Sequence, residues 1–227
     1  AEVRVFTRAM AALAETVDPG EDGVVFLASS AGGVYAGSEG APFDERTPPR
    51  PLVAYGRAKL AMELEAARLA HRTGLRVVIG RLANVYGPGQ RLAKPQGLVS
   101  QLCLADATGR PLPLFVSMDT IRDYLYAGDA ARMIERSIAL ARDERAVTVT
   151  TKVLASGHPV TVGFLISEAR RVFHRRLRTI PAPGASTGQV LDLRLQSCVW
   201  PELDPLASTT LVSGLAKTSA DVRARVV

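Results

Sequence analysis

Tyr55 and Lys59 stand four residues apart in the run AYGRAKL. On a helix that spacing puts both on one face, one turn apart. An ammonium beside a phenol favours the phenolate, so such a tyrosine can exchange a proton with a substrate hydroxyl or carbonyl. A serine bonded to the same substrate oxygen would complete the arrangement. Ser30 is the first candidate and Ser29 the reserve, because both end the apolar run VVFLASS. The end of a buried strand is where an open α/β sheet places its site. A tyrosine and a lysine at this spacing also occur by chance on many helices. Here the pair gains weight from its surroundings, with VVFLASS before it and RLANVYGPGQ after it.

The elements that must position these residues follow from periodicity. Residues 2–15 repeat apolar positions at helical spacing, and DPGEDG breaks that helix. VVFLAS and LRVVIGRLA are continuous apolar runs, the pattern of strands buried on both faces of a parallel sheet. Between them lie a Gly/Pro-rich loop and a helix over about 52–73, stopped by Gly74. Strand, helix, strand in that order implies a right-handed parallel crossover. Further on, the pattern predicts a helix over 95–109, an extended PLPLFV and a helix from near Asp129. A strand at AVTVTT, a helix capped by Thr161, an extended LRTI and a final helix complete the chain. The fold class is α/β: a Rossmann-type parallel sheet with helices on both faces, and a smaller C-terminal α/β portion. The expected division is 1–88 for the remainder of a dinucleotide-binding domain. Residues 89–227 form mainly a substrate region, with some segments returning to the first.

Composition narrows the functional classes. The 227 residues suit one sizeable domain or slightly more. No apolar run approaches the roughly 20 residues that span a bilayer, and no signal peptide is visible, so the cytoplasm is the expected location and no membrane partner is expected. Only Cys103 and Cys198 are present, which argues against a disulfide framework. His71, His158 and His174 lack ligand spacing, so no metal site is expected. The formal net charge is +6. Its densest cluster, RRVFHRRLR at 170–178, reads as a helix with Val172, Phe173 and Leu177 inward and solvated arginines outward. That pattern speaks for a solvated face and against a nucleic-acid partner. A basic surface also suits an anionic small substrate.

Five stretches together carry a resemblance: FLASSAGGVYAGS, YGRAK, RLANVYGPGQ, IRDYLYAGDAA and SGHPVTVGFL. In that order they resemble the extended short-chain dehydrogenase/reductases of the NAD-dependent epimerase/dehydratase family, which act mainly on nucleotide sugars. The resemblance implies that Tyr55 is the catalytic acid/base and that Lys59 assists it and holds the nicotinamide ribose. It implies NAD or NADP as cofactor, with Leu82 and Ala83 beside it. Asn84 and Arg122 would contact the nucleotide sugar, Arg122 at the pyrophosphate, which a guanidinium suits. A salt bridge from Arg122 to Asp123 or Asp129 is the structural alternative. The family's pairs of helices around the Tyr–Lys segment allow a homodimer through 1–15 and 52–73.

Three departures refine the expectation. Relatives carry Ser or Thr three residues before the Val of VY, and here that position is Ala31. Dehydratases of the family carry an acidic pair just after the hydroxyl, and here AGG follows the serines, which disfavours dehydration. The Gly-rich turn that opens the family's dinucleotide fold does not occur in these residues. The resemblance therefore implies about a hundred residues ahead of residue 1, with the NAD or NADP preference among them, and a chain incomplete for activity as it stands. The leading expectation is an NAD(P)H-dependent 4-ketoreductase of a dTDP-4-keto-6-deoxyhexose. The alternatives are a C4 epimerase of the UDP-galactose type and a catalytically impaired family member.

Overall fold

The chain, in a computed structural model describing residues 2–18, 22–93, 97–144, 148–174, 177–182 and 190–226, opens with helix α1 (Glu2–Thr16) and strand β1 (Val24–Ser30). A single helical turn, α2 (Ala31–Val34), continues directly from β1, and the long helix α3 (Ala54–Thr73) follows a loop. Next come β2 (Arg76–Leu82), β3 (Asn84–Tyr86), α4 (Leu98–Thr108), β4 (Leu112–Leu114), β5 (Ile121–Arg122) and β6 (Tyr124–Tyr126). Then follow α5 (Ala127–Asp143), β7 (Val149–Leu154), β8 (Val160–Thr161) and α6 (Val162–Phe173). Strands β9 (Thr179–Pro181) and β10 (Asp192–Leu193), a 3-10 turn over Pro201–Leu206 and α7 (Leu211–Val226) complete the order.

The two apolar runs pair as their composition demands. β1 lies parallel to β2, from Val24 opposite Arg76 to Ser30 opposite Leu82. β7 joins the other side of β2 in parallel, from Val77 opposite Val149 to Leu82 opposite Leu154. Side chains alternate across these strands, so each face needs its own cover. Leu27, Val77 and Ile79 pack with Ala66 and Ala70 of α3. The other face, with Leu154 and Phe26, packs against Met133 and Ile134 of α5. A separate cluster joins α4, α6 and α7 through Leu102, Leu165 and Leu215. Among the described residues no helix is long and apolar enough to cross a membrane.

The signals at element ends act as the residue types require. Gly74 takes a left-handed φ of 79° and returns its N–H to Ala70 O. Thr161 caps α6 by accepting from the Phe164 N–H at 3.1 Å. Several expected boundaries shift. α5 begins at Ala127 rather than Asp129, because the chain turns straight out of β6. α6 ends at Phe173, where His174 takes a positive φ of 53°, so the arginine-rich stretch is not one helix. Phe173 and Leu177 are nevertheless buried and Val172 half-buried, as expected for the inward side. The AVTVTT strand runs later, over Val149–Leu154; its first two residues, and part of 95–97 at the start of the expected helix, lie outside the described residues.

One contact sets how close α3 comes to the sheet. A Cβ added at Gly56 would stand 2.1 Å from Gly33 O and 2.8 Å from Gly33 C. Gly33 in turn has Tyr55 ring carbons 3.1 and 3.3 Å from where its own Cβ would be. Two backbones therefore touch where any side chain would separate them. Within a helix, Gly→Ala ordinarily stabilises by up to about 1 kcal/mol. Here overpacking, at roughly 1–3 kcal/mol, wins. Gly56→Ala is expected to lower the melting temperature by roughly 5 °C, read by thermal unfolding. An unchanged or raised melting temperature would show that the contact does not constrain the helix.

Candidate active site

A pocket of about 540 Å³ opens where β2 gives way to β3, with Tyr55, Ala83, Asn84 and Arg122 among its lining residues. Four of the residues singled out in the sequence thus meet in one cavity. Tyr124, Phe115 and Thr120 also line it and were not singled out. Lys59, Ser30 and Leu82 are not among its lining residues. Leu82 packs half-buried against the α5-side core, opposite Ser30 on one flank and Leu154 on the other.

Tyr55 heads α3 and is 54% exposed, and its hydroxyl has no hydrogen-bond partner among the described residues. One turn on, the Lys59 ammonium lies 5.9 Å from the Tyr55 ring centre. It donates to Ala28 O at 3.1 Å, which ties the helix to the last turnings of β1. An ammonium has three donors. Two therefore remain for another acceptor.

The two serines part company, because consecutive strand side chains point to opposite faces. Ser29 is buried and donates its hydroxyl to the Glu63 carboxylate, inside the α3 packing. Ser30 sits at the head of α2, where its oxygen accepts the Gly33 N–H at 3.1 Å. That bond uses a lone pair and leaves the hydroxyl proton without an acceptor among the described residues. Gly33 touches the Tyr55 ring, so the Ser30 cap and the phenol flank the same glycine.

Arg122 has no carboxylate within ion-pair distance among the described residues. Its guanidinium donates to Ile121 O at 2.8 Å and to Leu191 O at 3.4 Å. Burial holds its pKa below the usual arginine value. The two neighbouring acids are committed elsewhere. Asp123 accepts from Ser156 N–H at 2.7 Å, Ser156 hydroxyl at 3.0 Å and Gly157 N–H at 3.0 Å. Burial raises the Asp123 pKa, and these bonds oppose the rise. Asp129 pairs with Arg132 and accepts from the Thr209 N–H at 2.8 Å. The salt bridge that would have made Arg122 structural is not formed. Asn84, whose own N–H donates to Asp123 O at 3.0 Å, turns half-buried beside the same pocket.

Sequence patterns had not marked Gly56, Glu63 or Arg81. A signal existed for two of them. Arg81 is a charge inside a run otherwise apolar, and Glu63 lies four residues beyond Lys59 on the same helical face. Among the described lining residues the pocket contains no Asp or Glu. Of the three tyrosines that line it, Tyr86 and Tyr124 are buried and Tyr55 is exposed.

A dTDP-L-rhamnose 4-epimerase of Burkholderia thailandensis is 37% identical over 108 residues, 46% of this chain and 29% of its own length. A dTDP-4-dehydro-6-deoxyglucose reductase of Escherichia coli is 28% identical over 142 residues, 63% of this chain and 43% of its own length. The chain thus matches less than half the length of these relatives. Among solved structures, MoeE5 in complex with UDP-glucuronic acid and NAD superimposes with a TM-score of 0.79 and 27% identity. That alignment covers 97% of this chain and 70% of MoeE5. Residues 2–149 match the family described as NAD dependent epimerase/dehydratase, and the chain belongs to that family.

Proposed function

We propose that this chain is the catalytic and substrate-binding part of a nucleotide-sugar oxidoreductase that reduces a 4-keto sugar carried on a nucleoside diphosphate. The observation that carries the reading is the meeting of Tyr55, Asn84 and Arg122 around one pocket, with Lys59 beside the phenol. The absence of Asp and Glu among the described lining residues speaks for reduction over elimination of water, which needs its own acid and base. The similarity to the Escherichia coli reductase supports a dTDP-4-keto-6-deoxyhexose as substrate.

The residues present fit a nicotinamide dinucleotide. Lys59 keeps two ammonium donors for ribose hydroxyls, and the Tyr55 hydroxyl is unengaged among the described residues. Ala83 and Leu82, at the end of β2, offer apolar contact nearby. When bound, the cofactor supplies the hydride. Tyr55 would give its proton to the sugar oxygen, and the Lys59 ammonium would stabilise the phenolate left behind. Ser30 would donate its free hydroxyl proton to the same oxygen. Arg122 would bind the pyrophosphate with charge-assisted hydrogen bonds, and Asn84 would hold the substrate beside it.

A second reading has its own support. The Burkholderia thailandensis relative is a 4-epimerase, and the same Tyr–Lys pair would serve a C4 epimerase that removes and returns one hydride to a retained NAD. Full-length protein incubated with a nucleotide 4-keto sugar and NAD(P)H separates the two. Net loss of nicotinamide absorbance supports the reductase. Interconversion of sugars with no net loss overturns it in favour of the epimerase.

Two substitutions test the assignments. Tyr55→Phe is expected to lower kcat by about 100-fold or more with little change in KM. Arg122→Leu removes charged hydrogen bonds of roughly 1.5–3 kcal/mol each, so KM is expected to rise about 10- to 100-fold. Steady-state kinetics on both variants checks this. A Tyr55→Phe enzyme of undiminished kcat would remove the tyrosine from the chemistry.

A further inference from the structure

Arg81 joins two elements that share no bond of their own at this level. It lies in β2 and is 6% exposed. On one side its Nη2 donates to Glu63 Oε2 at 2.7 Å, and its Nε lies 3.2 and 3.3 Å from the two carboxylate oxygens. On the other side its Nη1 donates to the Tyr35 hydroxyl at 2.7 Å. Glu63 belongs to α3, is 4% exposed and also accepts from Ser29. Tyr35 is the residue that closes α2. Its own hydroxyl proton goes to Asp44 O at 2.7 Å.

We propose that Arg81 is a positioning residue: by gripping α3 through Glu63 and α2 through Tyr35, it fixes the spacing between Ser30 and Tyr55. The inference rests on the assignment of those two as the groups that act on the substrate oxygen.

The elements need such a grip for different reasons. α2 is four residues long, too short to keep its place by its own hydrogen bonds. Ser30 holds its first turn, and Tyr35 anchors its end. α3 is twenty residues long and holds its own shape, but a stiff helix can still slide or rotate. Glu63 lies one turn beyond Lys59 and two beyond Tyr55 on the same face, so a fixed Glu63 sets the phase of all three. A guanidinium suits the task, because its planar fork holds two partners in fixed directions. Burial pushes the Tyr35 phenol up to about 12, so it stays protonated and keeps both bonds wherever an enzyme works.

Tyr35→Phe in the full-length protein is the test, because it keeps the buried ring and removes the hydroxyl through which Arg81 tethers α2, along with that hydroxyl's bond to Asp44 O. The variant is expected to lose roughly tenfold or more in kcat, with KM for the nucleotide sugar within about twofold of wild type. Added to Ser30→Ala, it is expected to cost no further activity, because its effect passes through the serine. Losses that simply multiply would overturn the proposal. Hydrogen exchange gives a readout independent of turnover. Amides of 31–35 are expected to exchange about tenfold faster in Tyr35→Phe, with α5 unchanged. Unchanged exchange at 31–35 overturns the proposal even where the enzyme is active. If wild type turns over no nucleotide sugar and Tyr55→Phe changes nothing, the acid–base assignment falls, and the exchange result still decides whether Arg81 holds α2 through Tyr35.

Discussion

The site depends on how closely α3 can approach the turn that follows β1. That distance is set by a missing side chain. With no Cβ at Gly56, the helix backbone reaches the Gly33 carbonyl, and the Tyr55 ring stands close against Gly33. The phenol, the ammonium one turn on and the Ser30 cap are brought close by this backbone contact. Backbone placement matters because acid–base chemistry is sensitive to errors of an ångström or less. The sheet behind it supplies the rest. Lys59 reads the register of β1 directly, through the carbonyl of Ala28.

Apolar packing brings these elements together, but it does not decide their phase. Polar groups do that, and they do it in the interior. Separating Arg81 and Glu63 from water is expensive, and burial is tolerable only where every donor and acceptor is met. Ser29 and Tyr35 supply the remaining partners. Burial alone would lower the Arg81 pKa, and the bonds and charge of Glu63 more than reverse it. Asp123 follows the same logic at the other end of the site. Its three donors all come from Ser156 and Gly157, so the loop after β7 is fastened to the strand that carries Arg122. Each network ties a chemically important position to an element distant in sequence.

That division explains what the sequence made legible. β1 and β2 announce themselves as continuous apolar runs, and α3 as a long stretch with a glycine stop, because their stability is local or comes from sheer burial. The Tyr55–Lys59 pair is legible for the same reason, since helical spacing alone puts it on one face. The two- and three-residue strands β3, β5, β6, β8 and β10 have no periodicity to read; partners far along the chain create them, as when β5 pairs with both β8 and β10. The choice between Ser29 and Ser30 needed one further fact, which face of β1 meets α3. The contact of Ser29 with Glu63 of α3 shows that face, and Ser30 points to the other. Glu63 and Arg81 were visible as charges but not as partners, because 18 residues separate them.

Arg122 brings the argument from fold to ligand. A half-buried guanidinium remains charged in a protein. Its charge is ordinarily balanced by a carboxylate, and two lie close in sequence, Asp123 next to it and Asp129 seven residues on. Both are withdrawn: Asp123 into the Ser156–Gly157 loop and Asp129 to Arg132 and Thr209. Only carbonyl oxygens reach the guanidinium from the described residues. The fold therefore maintains a partly desolvated cation on the wall of a pocket whose described lining includes no acid. Asp192 attracts this cation through space but is ion-paired with Arg194, so an incoming anion would add a direct contact, in surroundings where Coulomb energy is larger than in water. A pyrophosphate meets this demand better than a neutral sugar would. The same local arrangement leaves the Arg122 guanidinium at the pocket wall without an ion pair, open to the anionic group of a ligand.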